Sequence, residues 1–446
     1  MKFPPESPPE SKAEPPRTAG SSRPAKVLWL QVFALAGVQG AIVAAWVIYN
    51  LYLASLLQQF GFSPGVATTI VFLENLLAAL VEPIVGGLSD LSQRWLGSRF
   101  PLIAVGIVLS AAFFFLIPLF WVLGRWDQGL GWIRMAFPVI LVCWALAMTL
   151  FRSPVLSLLG RYALNRRLPQ AASFLTLIEG FARGWGFLAS TWILSLGPVF
   201  AFGIGSILLL LGAIVLLLVD PEEQVERVPK PLKSNPVPSP ERVKPPPPKP
   251  QKPLKVAKLG WVLGTGVAAT LGFRLLFISF SQVLQQLPLA APQANLILGM
   301  LFLSLSLSAI PLGKLAVHLG NHRSFLLGLT MMAGLCAIVP LISTSGFAVA
   351  LAIVMGVALG LINNSALPFA LKVVPEAWAS LGTAFYFSGG SIAATLLTGA
   401  LAKVQSFQPA TAAFLGSGAF LLAGFFVASA VPLTGQKSGK AEKETV

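Results

Sequence analysis

The chain has 446 residues, 55% of them hydrophobic and only 11% charged, with a mean hydropathy of +0.79, against about 25% charged in an ordinary soluble domain. These proportions exclude a soluble globular protein. A formal net charge of +15 would suggest nucleic acid in a soluble chain, but in a membrane protein the same excess collects in cytoplasmic loops.

Residues 1–26 hold seven prolines and alternating charges without an apolar run. They read as a disordered Pro-rich tail rather than a signal peptide. A membrane-crossing helix needs about 20 apolar residues. Segments of that kind follow at 27–57, 66–88, 101–122, 135–160, 171–195 and 199–219, making an amino-terminal half over 27–219. Residues 220–258, with the run Pro245 to Pro248, form a Pro/Lys-rich linker that proline keeps extended and solvated. A second series at 259–287, 293–317, 324–342, 347–374, 381–402 and 410–432 makes a carboxy-terminal half over 259–432, and 433–446 is a polar tail. Six plus six segments predict an all-α polytopic membrane protein, twelve transmembrane helices in two pseudo-symmetric halves, as in duplicated transporters.

The basic residues orient it. With the amino terminus inside, 25 of the 31 Lys and Arg fall on the cytoplasmic side, nine of them in the linker. Only Arg125, Arg134 and Lys403 fall outside, and Arg152, Arg183 and Arg274 lie within apolar segments. Both termini and the linker are therefore expected in the cytoplasm, with the protein in the cell (inner) membrane. The positive charge is then a matter of topology and lipid attraction, and nucleic acid is not expected as a partner. Cys143 and Cys336 both sit in apolar runs, where small buried hydrophobes are the simplest reading.

Residues 81–106 read VEPIVGGLSDLSQRWLGSRFPLIAVG. Gly86 and Gly87 let backbones approach closely. Asp90, at a cytoplasmic helix end, can accept from exposed N–H groups of a facing helix or pair with Arg94 or Arg99, forming a gate that breaks when the halves rock. The alternative is a solvated turn. The stretch resembles the second-to-third-helix signature of the major facilitator superfamily. Through Pro83, Gly86, Ser89, Asp90, Gly97, Arg99, Pro101 and Gly106 it is similar, more narrowly, to the sucrose-transporter and glycoside–pentoside–hexuronide cation-symporter group. The stretch Ser365 to Leu371 is similar to that group's proline-bearing tenth helix, whereas the second-half counterpart of Asp90 is Val317. The resemblance implies the major facilitator fold and cation-coupled transport of sugars. Some members of the wider group are thought to serve pigment-complex assembly instead.

Six ionisable residues lie inside the apolar segments, and each is costly there unless paired or hydrated. By counting about 1.5 Å per helical residue, Glu82, Arg152 and Glu179 fall in an inner layer, with Glu74, Arg183 and Arg274 in an outer one. An intrahelical Glu179–Arg183 pair competes with this scheme. Static ion pairs are one reading; a glutamate that carries the coupling proton is the other. Gln39, Trp46 and Asn50 share one face of the first span, and Ser281, Asn363 and Asn364 add polar groups on the seventh and tenth. These six form a candidate substrate-binding surface, with interhelical hydrogen bonding as the alternative. The repeats Gly180/Gly184, Gly260/Gly264 and Gly356/Gly360 point to close helix packing.

No phosphate-cradling motif occurs, so ATP is not expected to drive the protein. His318 and His322 lie in a short loop without other ligands, so neither a metal site nor a cofactor is expected. With no nucleophile–base set, the chain is not expected to be an enzyme. The expectation is a secondary transporter working by alternating access, a proton-coupled (or other cation-coupled) symporter of a small hydroxylated solute such as a sugar, acting as a monomer. An assembly or pigment-handling factor on the same fold, and an exporter of amphipathic compounds, are the alternatives.

Overall fold

In hydrocarbon every backbone N–H and C=O must be satisfied within the protein, which favours helices whose bonds stay inside one segment. The computed structural model of the chain, which describes residues 27–126, 131–163, 166–219, 254–404 and 407–430, is helical throughout apart from turns and short links. The expected tail at 1–26, residues 220–253 of the expected linker and the tail at 433–446 lie outside the described residues.

The long helices are α1 (Trp29–Gln59), α2 (Pro64–Trp95), α3 (Phe100–Trp126), α4 (Gly131–Ser157), α5 (Leu168–Leu188), α6 (Gly197–Val219), α7 (Val256–Gln286), α8 (Ala291–Leu319), α9 (Asn321–Ile338), α10 (Ser345–Val373), α11 (Ala379–Val404) and α12 (Pro409–Ala430). Among the described residues, eleven segments are long and apolar enough to cross a bilayer. Of the long helices only α5 falls short, because Gln170, Ser173, Thr176, Glu179 and Arg183 interrupt its apolar residues. It is nonetheless packed among α1, α8 and α10, and a short helix (Ser190–Ser195) continues it.

The packing repeats with a shift of six helices. In the first half α1 packs on α5 and α6, α3 on α4 and α6, and α2 on α4. In the second half α7 packs on α11 and α12, α9 on α10 and α12, and α8 on α10. The contacts between halves obey the same rule: α5 with α8 mirrors α11 with α2, and α5 with α10 mirrors α11 with α4. Two halves related by a pseudo-two-fold axis are the result, as duplicated transporters require. Most of each half's buried apolar residues form one cluster of its own. The first is centred on Trp144, whose ring lies 4.4 Å from that of Tyr49 and 4.9 Å from that of Phe114. Prolines also recur in symmetric helices, Pro83 with Pro311 and Pro154 with Pro368. Each removes a helical hydrogen bond and favours a bend.

Close helix crossings depend on missing side chains. A Cβ at Gly180 would lie 2.5 Å from Leu305 Cδ2 and 2.9 Å from the Ser306 nitrogen, so this glycine sets the approach of α5 to α8. Gly184, Gly356 and Gly360 also face neighbouring helices, and Gly264 faces Phe426; nothing lies near Gly260, which contributes no packing.

Candidate functional site

The segment expected as a gate is the end of a helix. The α2 helix runs on to Trp95, so Gly86, Gly87, Asp90 and Arg94 are helical, and the turn proper is Leu96 to Arg99 with Gly97 at φ 74°. Polar residues carry the helix beyond its apolar stretch, since nothing between Gly86 and Arg94 breaks it. Of the two glycines, Gly86 makes the close approach: a Cβ there would meet Ala384 Cβ at 2.5 Å and the Ser380 carbonyl oxygen at 2.8 Å. Gly87 would meet only Leu381 Cδ1, at an ordinary 3.9 Å.

That approach brings Asp90 to the amino terminus of α11, where helical N–H groups lack partners and the dipole favours an anion. Ser380 N–H donates to Asp90 Oδ1 at 3.1 Å and Leu381 N–H to Oδ2 at 2.9 Å. Arg99 Nη2 donates to Oδ1 at 2.8 Å while its Nη1 donates to Ser157 Oγ at 3.2 Å. Ser157 Oγ lies 2.8 Å from Ser380 Oγ, which also lies 3.2 Å from Ser89 Oγ. Asp90 is 1% exposed and Arg99 3%, so the network is dry. Arg94 lies outside it: its guanidinium stands 4.0 Å over the Trp378 ring and donates to the Ala377 carbonyl at 3.3 Å. Groups from α2, α4 and the α2–α3 turn are thus tied to α11 of the other half.

Deeper in the membrane the expected pairing of Glu82 with Arg152 is present, while Glu179 and Glu74 take other partners than the two layers implied. Glu82 pairs with Arg152 (Oε1 to Nη1, 3.7 Å), and the Arg152 guanidinium lies 4.0 Å over the Phe387 ring of α11. Glu179 takes Arg183 one turn along α5, with Nε and Nη2 at 3.1 and 3.0 Å from Oε1, while Gln39 Nε2 donates to Oε2 at 3.1 Å. Spacing decides this, because residues four apart on a helix already share a face. Glu74 meets neither Arg183 nor Arg274; it accepts from the Tyr49 hydroxyl of α1 in a buried pair. Arg274, half-buried on α7, has neither a carboxylate nor a hydrogen bond among the described residues, and Arg183 lies near enough for the two like charges to interact.

The neutral residues divide. Gln39 is drawn to Glu179. Trp46 packs on Trp144, ring centroids 4.8 Å apart, and Asn50 donates back to the Trp46 carbonyl at 2.7 Å. Asn364 is consumed by packing, donating to the Ala309 carbonyl of α8 at 2.8 Å. Asn363 and Ser281 are half-buried without side-chain hydrogen bonds among the described residues. His318 is exposed and His322 half-buried; among the described residues no three His, Cys, Asp or Glu gather closely enough to hold a metal. Cys336 is buried with its thiol 3.2 Å from the Ala413 carbonyl, and Cys143 is half-buried.

Four contributors escape a reading by charge and motif: Ser157 and Ser380 in the network, Tyr49 beside Glu74, and Tyr386 on α11. Tyr386 lies within electrostatic reach of both Glu179 and Arg152. For the tyrosines a signal existed, since the whole chain has only four and a phenol in an apolar span needs a partner. For the serines there was none, because serine is common at helix crossings in membranes.

The sequence matches the family described as Major Facilitator Superfamily over residues 29–398. No protein of curated function matches it. Among solved structures it is similar to a bacterial homologue of the iron transporter ferroportin in the outward-facing state, with TM-score 0.68 and 14% identity over 90% of this chain and 99% of that one. A second structure of such a homologue in the same state, soaked with iron, gives TM-score 0.67 and 14% identity over 90% and 98%. At this identity the likeness concerns the fold alone.

Proposed function

The chain belongs to the major facilitator superfamily and is a membrane transporter; on that premise we propose that it moves a small hydroxylated solute by alternating access, in symport with protons. One observation carries the proposal. At one end of the bundle the halves are latched by a single buried carboxylate, Asp90, held on the N–H groups of Ser380 and Leu381, while ion pairs and amides occupy the middle. A latch built from a few polar bonds can release as a unit; a continuous apolar seam cannot.

Release of the latch would open the side on which the Lys and Arg count puts both termini, the cytoplasm. Gln39, Trp46 and Asn50 on α1, with Ser281 on α7 and Asn363 on α10, then offer hydrogen-bonding groups and an aromatic wall to a hydroxylated ligand. The likeness of residues 81–106 to sugar–cation symporters supports the same solute class. Glu74 is the proton carrier we favour. It is buried with a phenol and no cation, and a lone carboxylate in hydrocarbon is costly unless neutral. Glu82 and Glu179 keep arginine partners through which movement of the halves can be coupled to charge. Iron, named for the similar structures, suits this interior poorly, because no group of three or more metal-binding side chains occurs among the described residues.

The test is transport by the purified protein in proteoliposomes enclosing a pH indicator, with solutes chosen beforehand by the thermal stabilisation that any ligand of the folded state confers. A stabilising solute should acidify the lumen as it enters. Glu74→Gln should abolish the acidification and spare counterflow exchange of the solute. If Glu74→Gln, Glu82→Gln and Glu179→Gln each keep full proton coupling, the proposal fails.

A further inference from the structure

The ion pairs inside the membrane leave one charge over. Glu82 answers Arg152 and Glu179 answers Arg183, while Glu74 is turned away toward Tyr49 within the first half. Arg274 is left with no carboxylate and no hydrogen bond among the described residues, and Arg183 adds a repulsive neighbour. A guanidinium is always charged and cannot escape by losing its proton. Held half-buried within a transmembrane helix, it must find an anion or water.

From this arrangement we propose that the transported solute carries a negatively charged group, a carboxylate or a phosphate, and that Arg274 of α7 receives it. This rests on the transporter reading above and narrows its substrate class. Arg183 is held by Glu179, which in turn takes Gln39; Arg274 is the free fork, able to grip two oxygens at once. Seven residues further along α7, Ser281 lies on the same face, half-buried and without a hydrogen bond. A monovalent anion that enters with a proton on Glu74 adds no net charge, so its uptake would not be opposed by the membrane potential.

The field of Arg274 can be measured without knowing the solute. A single cysteine is placed at Ser281 (Ser281→Cys) in a background lacking Cys143 and Cys336. It is then labelled in liposomes with an anionic (sulfonate-bearing) and a cationic (trimethylammonium-bearing) methanethiosulfonate, each rate normalised to a free thiol in solution. The anionic reagent should be favoured by about tenfold, the lower end of what a like-charged cleft does to local ion concentration. Arg274→Gln should erase most of that preference and Arg274→Lys keep it, each variant being checked for a monodisperse fold. A preference at or below one, or one that Arg274→Gln leaves unchanged, overturns the proposal. If the preference fails while solute-dependent acidification persists, only the anion is lost and the transporter stands. If the preference holds and acidification is absent for every solute, the anion site stands on a fold that does not pump.

Discussion

Asp90 bears on four other residues at once: it accepts two backbone N–H groups and a guanidinium, and through Arg99 and Ser380 it fixes Ser157. Removing it takes one carboxylate from buried Arg99 and the cap from α11. Asp90→Ala should therefore weaken the latched arrangement by about 3–5 kcal/mol, the usual cost of breaking a buried pair from one side, read as faster labelling of a cysteine at position 380. The Glu82–Arg152 pair should respond unequally. Glu82 is 1% exposed whereas the Arg152 side chain is 33% exposed and keeps Phe387. Arg152→Gln strands the buried acid and should cost about 3 kcal/mol; Glu82→Gln should cost about 1 kcal/mol, and the double variant less than Arg152→Gln alone, measured by denaturation in detergent. At this scale the sequence displayed the ionisable residues because a charge in an apolar segment has so few companions. It did not display partners such as Tyr49, since side-chain direction depends on the rotation of each helix, which packing determines.

The α2–α11 crossing has a symmetry mate in α8–α5, and the two differ in chemistry. Gly86 lies against the Ser380 carbonyl and Ala384; Gly313 lies against the Pro169 carbonyl and Ser173. Where Asp90 caps two N–H groups, the related position is Val317, and the facing helix begins Leu168-Pro169. Proline has no N–H to cap. One crossing therefore carries a polar cap, and the other has fewer donors to satisfy. The absence of an aspartate in the second half is matched by the loss of a donor, so it follows from the fold and does not signal decay of the motif. Gly86→Val should force α2 and α11 apart and lower stability by about 1–3 kcal/mol, as overpacking does, with a labelling pattern like that of Asp90→Ala. Gly87→Ala, meeting Leu381 only at contact distance, should be neutral. The glycine pair was legible in the sequence; which member carries the crossing was not, because the two differ by about 100° around the helix axis.

Across the whole molecule, the hydropathy pattern revealed the span count and the duplication, since lipid demands long apolar helices. It could not reveal that the halves meet through α2, α4, α5, α8, α10 and α11, because lipid-facing and partner-facing apolar residues look alike. The +15 charge of the chain belongs to tails, linker and turns, whereas inside the membrane three acids face three bases and their pairing leaves Glu74 and Arg274 apart. Alternating access, as proposed, requires the halves to separate at the latch during each cycle. Ser157 Oγ and Ser380 Oγ stand 2.8 Å apart across it, so cysteines at both positions can be joined by oxidation in a background lacking Cys143 and Cys336. Alternating access predicts that oxidation of Ser157→Cys/Ser380→Cys stops solute uptake into proteoliposomes, that a reductant restores it, and that neither single variant responds. Uptake that continues at its full rate with the two halves covalently joined at the latch would contradict it.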